Sequence, residues 1–403
     1  MGDAAASFEG SGVLTTIATP RAAPASAMAA AVSAATPQVL DAYAGFCGTA
    51  LHAPPQGAAW VRHWVDAVRP DAVIATLETG GRPALALALE VERAGPFRIA
   101  RFMGGRHANG NFAPADADWL ANVECSHVRT LFEAIGKARP DVDLIALQRL
   151  LPEMDGSRNP FATMPGFASP NISLAVDLAG GFDAVLARTS GKRKRKKNRS
   201  QRRKFEAAGG FRRIRAGSTE EVRALLDTFF AMKEARFRRM GIANVFSEQP
   251  VRDFFRALFA GALDQKEPPF VLHGLEVGGK LRAVTGSSRC GNRLICEFGS
   301  ISEDELAGAS PGDFLFFANI EEACAEGLQV YDFSVGDEPY KRQWCDLETQ
   351  HRDVLVPLTA KGRALAFMLQ KNAQLTSFVK NSPAVWKLTK RLRRRTAGEP
   401  SDE

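Results

Sequence analysis

FVLHGLEVGGKLRAVTGSSRCGNRLICEF, residues 270–298, carries three β-rich runs separated by two turn pairs. Phe270–Val277 and Leu281–Cys290 flank Gly278-Gly279, and Gly291-Asn292 leads into Leu294–Phe298. Gly-Gly and Gly-Asn pairs suit hairpins because such turns need positive φ. A helical stretch, Pro311–Glu326, and a last strand, Val330–Phe333, complete a β-turn-β-β-α-β order. The same order occurs earlier. Ala72–Glu78, Gly80-Gly81, Pro83–Glu90 and Phe97–Met103 read as strands and turn, Asp118–Lys137 as a helix and Val142–Leu147 as a strand. A meander closed by a helix and a returning strand makes a mixed sheet, and its repetition predicts a duplicated α/β unit.

Outward from these units the chain divides into four parts. Residues 1–36, rich in Ala, Ser, Thr and Pro, read as a disordered leader and lack the basic-then-apolar order of a signal peptide. Residues 37–175 hold the first unit and 176–361 the second, while 362–403 read as a basic helical tail broken near Pro383. Between the units, Phe182 begins an amphipathic helix whose cationic run ends at Gly209-Gly210. Helices over Thr219–Arg238 and Val251–Leu263 follow, the former with Val222, Leu225, Leu226, Phe229 and Phe230 on one stripe.

The net charge of +7 misleads as an average. Lys192–Lys204 holds ten Lys or Arg and no acid, and Lys387–Arg395 holds six more, so the remainder carries −9. A local basic segment implies a local anionic partner and not a generally nucleic-acid-coating protein. The six cysteines, at 47, 125, 290, 296, 324 and 345, form no CxxC pair and have no His cluster near them, which argues against zinc and against a disulfide framework. No run of 18 apolar residues exists, so no transmembrane helix is expected. A cytoplasmic protein, peripheral to a membrane at most, is the expectation.

Tyr331-Asp-Phe-Ser-Val-Gly-Asp-Glu-Pro-Tyr-Lys-Arg-Gln-Trp344 resembles the closing motif of CelD-type acetyltransferases, a GNAT-superfamily group linked to cellulose and exopolysaccharide biosynthesis. The basic helix at Lys192–Lys204 and Ser310-Pro311-Gly312 before a helix fit the same group, so the resemblance spans roughly residues 170–350. More distantly the chain is similar to the FemABX transferases, which use two GNAT units and aminoacyl-tRNA. The resemblance implies tandem GNAT-like sheets flanked by helices, with the working site in the second copy. It also implies transfer of an acyl group, with acetyl-CoA as co-substrate, to an amine or hydroxyl of a sugar, sugar nucleotide or small metabolite. The usual phosphate turn, Arg/Gln-x-x-Gly-x-Gly/Ala, is absent; Ala309-Ser-Pro-Gly-Asp313 stands in its place, which leaves other acyl donors open.

Within this frame, ligands in open α/β sheets bind beyond strand carboxyl ends, which directs attention to Val330–Val335. Alternation puts Tyr331, Phe333 and Val335 on one face and Asp332 and Ser334 on the other. An attacking amine or hydroxyl must lose a proton, so Asp332 is the first candidate base and Glu297, on a neighbouring strand, the second. Tyr340 could protonate a leaving thiolate. Ser310, Pro311 and Gly312 at a helix start, with Lys341, could face donor phosphates. Ser334, Gly336, Asp337 and Trp344 would border the acceptor. Lys192, Arg193, Arg195, Lys196, Arg199 and Arg203 form an anion patch suited to phosphate, tRNA or lipid, and the absence of interleaved aromatics disfavours nucleic acid. The tail's Phe367, Met368 and Leu375 beside Lys371 suit an anionic membrane surface. A non-catalytic scaffold at a membrane is the remaining alternative.

Overall fold

The computed structural model describes residues 28–381, with side chains described as far as Thr376. Strands β1 (Met28–Ala34), β2 (Ala72–Thr79), β3 (Arg82–Ala94), β4 (Phe97–Phe102) and β5 (Leu144–Leu150) belong to the first half. A two-stranded hairpin, β6 (Glu153–Met154) and β7 (Ser157–Arg158), precedes β8 (Phe167–Asp177). The second half adds β9 (Phe211–Arg215), β10 (Phe270–Val277), β11 (Lys280–Cys290), β12 (Arg293–Ile301), β13 (Val330–Val335) and β14 (Leu347–Pro357). The helices are α1 (Pro37–Cys47), α2 (Ala58–Val68), α3 (Ala117–Leu120), α4 (Cys125–Ala138), α5 (Gly181–Arg188), α6 (Gly191–Ala207), α7 (Thr219–Met240), α8 (Gln249–Ala260), α9 (Pro311–Ala325), α10 (Pro339–Arg342) and α11 (Ala360–Asn381).

Among the described residues, twelve strands form one continuous sheet in the order β1-β2-β3-β4-β5-β14-β8-β13-β12-β11-β10-β9. The order is a repeat in mirror: four antiparallel strands, a parallel neighbour and one exchanged strand on each side. The next strand of the large sheet after β5 crosses into the second unit as β8, paired with β13, and the strand after β13 crosses back as β14, paired with β5. Antiparallel β8–β14 pairing then seals the two halves. The matching hairpins share a detail. Leu77-Glu78 and Leu275-Glu276 each carry a register shift just before Gly80-Gly81 and Gly278-Gly279, all four glycines having positive φ.

Helices α1, α2, α7 and α8 bury one shared core, in which Trp60, Trp64, Phe229, Phe254 and Phe255 meet Ala86, Ala88, Val284 and Phe298 of the sheet. Helix α4 covers the other face of the first unit through Val128, Leu131 and Phe132. Helices α5 and α9 cover the corresponding face of the second, with Val185, Phe316 and Ile320 against Leu294 and Tyr331.

Several sequence expectations change. The expected leader, residues 1–36, includes β1, which pairs along all of its seven residues with β2; its Ala-rich composition hides the alternation that marks a strand. The helix expected over Asp118–Lys137 is two helices, α3 and α4, because Asp116 caps the first and Glu124 and His127 box the start of the second. The boundary between 175 and 176 falls inside β8, and β14 completes the first unit's sheet, so neither 37–175 nor 176–361 is a closed piece of sheet. Strands β8, β9 and β14 were not anticipated. Of the tail, α11 packs Leu365 on Ile99, Leu144 and Ala146; Pro383 and the Lys387–Arg395 cations lie outside the described residues.

Candidate active site

Strands β12 and β13 run parallel for three residues only: Arg293, Ile295 and the residue between them pair with Val330, Asp332 and the one between. Beyond Ile295 and Asp332 they no longer pair. The cause lies on β12's other edge. Gly286 pairs with Phe298 while Ser287 pairs with Cys296, so Glu297 is an extra, unopposed residue. Such a bulge bends its strand and re-aims side chains. Its effect is visible in the packing: Leu294 and Cys296 face α5 and α9, whereas Phe298 faces α7 and α8.

The bulge holds a buried carboxylate. Ser288 Oγ donates to Glu297 Oε1 at 2.5 Å, while Oε2 is shielded from solvent and has no partner. Loss of water pushes the Glu297 carboxyl up to about 8, the Ser288 hydrogen bond opposing this and the nearby Asp332 charge adding to it. A carboxylate with one free oxygen and an affinity for protons near neutrality is fitted to accept one. Asp332 differs. Arg293 Nη1 donates to its Oδ2 at 2.8 Å and the Ser334 N–H to its Oδ1 at 2.7 Å, so both oxygens are engaged. Burial nonetheless pushes Asp332 upward, with Arg293 pulling the other way.

Arg293, Ile295, Asp332 and Ser334 line a cavity of about 500 Å³ on the seam between the two halves. Its opposite wall comes from Ser173 of β8 and from Gln350 and His351 of β14, the two exchanged strands. His351 Nε2 lies 3.1 Å from Ser173 Oγ, and burial pushes the ring down to about 4, so it stays neutral. Ser334 sits at φ 58° and β13 is bulged against β8 there, which turns Asp332 and Ser334 to one side, as the alternation predicts.

The helix start behaves differently from expectation. Residues Ala309, Ser310, Asp313 and Phe314 use their N–H groups in local backbone bonds, and Pro311 has none. Pro311 and Gly312 are buried, Gln201 donates to the carbonyls of Ala309 and Ser310, and Lys197 pairs with Asp313 at 3.0 Å. Helix α6 therefore closes this end, and it is not an open anion cradle. Lys341 is tied elsewhere: its Nζ donates to the carbonyls of Ser334 and Val335 and pairs with Glu338 at 2.9 Å, locking α10 to the end of β13.

Trp344 is 2% exposed and packs on Phe317 with the Lys194 ammonium 4.2 Å above its ring, so it is core and not a border of the acceptor site. Asp337 pairs with Arg342 at 2.5 Å, and the Gly336 N–H donates to Ile172. Tyr340 remains available: its ring stacks on Phe316 at 5.7 Å and it is 42% exposed. Of the anion patch, Arg195 is paired with Asp183, while Lys192, Arg193, Lys196, Arg199 and Arg203 are exposed on α6. The amphipathic spacing of Lys194, Asn198, Gln201 and Phe205 explains this, since those positions turn inward.

Sequence reasoning missed Ser288, Arg293, Ser173 and His351, each brought to the site by pairing that no local pattern encodes. It also missed Lys233 on α7, which burial pushes down to about 8 and whose ammonium lies 5.6 and 5.7 Å from the rings of Phe237 and Phe229.

Register identifies what the first unit has in these places. Its β4 and β5 also pair in parallel for three residues, Ile99 to Arg101 against Leu144 to Ala146. Counting from the first pair, Ile99 matches Arg293, Ala146 matches Asp332 and Met103 matches Glu297. The β3–β4 ladder has no bulge, and Ile99, Leu144 and Ala146 are sealed under Leu365. The first unit therefore has Ile99, Ala146 and Met103 where the second has Arg293, Asp332 and Glu297.

Residues 192–342 match the family model of the acetyltransferase (GNAT) domain. No curated protein matches the sequence. Among solved structures, FemX aligns at 10% identity over 84% of this chain and 99% of its own, with a TM-score of 0.55. L-PGS from Bacillus licheniformis aligns at 12% identity over 85% and 96%, TM-score 0.48. A tandem GNAT protein from the clavulanic acid biosynthesis pathway aligns at 15% over 83% and 99%, TM-score 0.41. The FemX likeness is one of fold alone, and the other two overlap too loosely to carry an argument. The second of two like units therefore carries the match to a GNAT acetyltransferase domain, within a tandem GNAT-like fold.

Proposed function

We propose that the second unit moves an acetyl or other acyl group from a coenzyme A thioester to an amine or hydroxyl of a small, hydroxyl-rich acceptor, with Glu297 as the proton acceptor. The single observation that carries this reading is the bulge at Glu297: it puts a buried, half-partnered carboxylate beside the point where β12 and β13 part. In the step, the acceptor nitrogen or oxygen bonds to the thioester carbonyl carbon and its proton passes to Glu297. The C–S bond then breaks, and the proton for the departing sulfur is assigned to Tyr340, whose ring lies 6.2 Å from that of Phe333 on β13. The seam cavity, polar at Arg293, Asp332, Ser334, Ser173 and Gln350, suits a sugar or sugar nucleotide, which agrees with a role in polysaccharide synthesis.

Donor phosphates would rest on exposed cations of α6, because the start of α9 offers few free N–H groups. A second reading, with aminoacyl-tRNA as donor, draws support from the same exposed basic face and from the FemX-like frame. Titration calorimetry with acetyl-CoA, followed by labelled-acetyl transfer to a panel of amino sugars, tests the first reading. Wild-type binding and transfer are expected, with transfer lost and acetyl-CoA binding kept in Glu297→Gln; a folded wild-type protein that gives neither heat nor transfer rejects that donor. Steeply salt-dependent tRNA binding, abolished by reversing Lys192, Arg193, Lys196 and Arg199, would favour the second.

A further inference from the structure

The first unit lacks Glu297's counterpart, yet it keeps a buried carboxylate one strand away. Glu90 on β3 pairs with Arg101, as Ser288 pairs with Ile295, so Glu90 holds the register position that Ser288 holds in the second unit. It follows Ala86 and Ala88 on the face toward α2 and α8, where small side chains admit Trp60 and Trp64. Glu90 is 4% exposed. Trp64 Nε1 donates to its Oε2 at 2.8 Å, while its Oε1 has no hydrogen-bond partner. The amides of Gly104 and Gly105 lean toward the carboxylate and ease its charge, but burial dominates and pushes the group up to about 7.

This carboxylate lines a cavity of about 600 Å³ between β3, the 104–107 loop and the approach to α8. A Cβ placed on Gly105 would stand 3.4 Å from Oε1 of both Glu90 and Glu92, so two carboxylate oxygens converge on the space that this glycine leaves empty. The apolar walls include Trp64, Val68, Val245 and Val251, and Asn244 and Ser247 add polar groups. Among the charged groups facing in, Asp71 is consumed by Arg98 and Arg139, and Glu92 meets Arg101 only loosely, at 3.6 Å. Arg106 is exposed, Glu248 stands before α8, and burial pushes His107 down to about 4, leaving it neutral. Helix α2 contributes the indole and no charge to this lining.

We propose that the first unit holds a second ligand site, an alkylammonium pocket in which Glu90 and Glu92 receive a protonated primary amine and the apolar wall takes its carbon chain. A metal ion fits poorly: no group of three or more His, Cys, Asp or Glu among the described residues could hold one, and Trp64 and the valines are not ligands. An ammonium supplies the missing donor to Glu90 Oε1, and the indole and aliphatic wall match its chain. The site stands apart from the transfer chemistry of the second unit and does not depend on it.

The test is calorimetric titration of the full chain at pH 8 with pentylamine, using pentan-1-ol as an uncharged match. Pentylamine is expected to bind one to one and pentanol at least about tenfold more weakly, since the alcohol can donate a hydrogen bond but brings no charge to offset the buried carboxylate. Glu90→Gln should weaken pentylamine about tenfold or more while circular dichroism and the unfolding midpoint report a folded protein. If Glu90→Gln does not fold, Glu92→Gln, at an exposed position of the same strand, should weaken pentylamine in the same direction. Equal binding of amine and alcohol, undiminished binding in the folded variant, or no binding of the amine by the wild-type chain overturns the proposal.

Discussion

Ser288 Oγ donates a 2.5 Å hydrogen bond to Glu297 Oε1 across the β11–β12 pair, at the one place where that ladder loses its register. The bond aims the carboxylate and stabilises its ionised form, while Oε2 is left free.

Glu297→Gln is expected to lower the transfer rate by about 10²–10⁴-fold with little change in thioester binding. Asp332→Asn should cost much less in rate, because both Asp332 oxygens already serve Arg293 and Ser334. Steady-state kinetics on both variants checks the pair; equal losses would move the base to Asp332.

The pH profile follows from the same group. Glu297 takes up protons below about 8 and is ionised above it, so the rate should rise with pH through that region. Ser288→Ala removes a bond that favours the ionised form and should shift the rising limb to higher pH. Stability runs the opposite way. A carboxyl whose folded value is raised holds its proton better in the native state, so its contribution is full below the unfolded carboxyl range and is lost as pH rises through about 8. Wild-type melting temperature should therefore fall between pH 6 and 9 relative to Glu297→Gln, in thermal scans of both.

Arg293→Met should leave the Asp332 carboxylate without its cation. Asp332 is 5% exposed but the Arg293 side chain 38%, so the loss should be about 1–3 kcal/mol, below that of a fully buried pair. Adding Asp332→Asn should recover part of it, in a double-mutant cycle read by urea denaturation.

Trp344→Ala should destabilise the fold by about 3–5 kcal/mol, as removal of a buried aromatic does, and Trp344→Phe far less. Denaturant midpoints check this. A direct acceptor contact would instead leave stability intact and raise the acceptor KM.

A fragment of residues 176–361 should not fold by itself. It lacks most of β8, which leaves the edge of β13 unpaired, and its β14 has lost both neighbours. The intact chain should unfold in one cooperative transition, whereas two separate transitions would argue against a shared sheet.

Much of the frame is legible in local pattern. The strand Phe270–Val277 matches its expected bounds, and β2, β11, α7 and α9 deviate by only one or two residues, because Gly-Gly turns, Ser218 capping α7 and Gly241 ending it are all local devices. Glu297 was visible as a strand carboxylate, and Asp332 and Ser334 as one face of β13. Their ranking was not visible. Nothing near Asp332 in sequence announces Arg293, thirty-nine residues away, and nothing near Glu297 announces a bulge. Trp344 and Lys341 resemble site residues in a motif, yet a core contact and two backbone carbonyls consume them.

By itself the sequence determined the duplicated unit, the parallel return strands and the concentration of positive charge on one helix. Each of these depends on spacing, turn residues and charge within a few positions of chain. The tertiary structure alone decided that the two units exchange strands, that the seam between them is a cavity, and that Glu297 rather than its neighbours keeps a free oxygen. Those outcomes rest on pairing between residues far apart in sequence, where burial and the surrounding partners set the chemistry of each carboxylate.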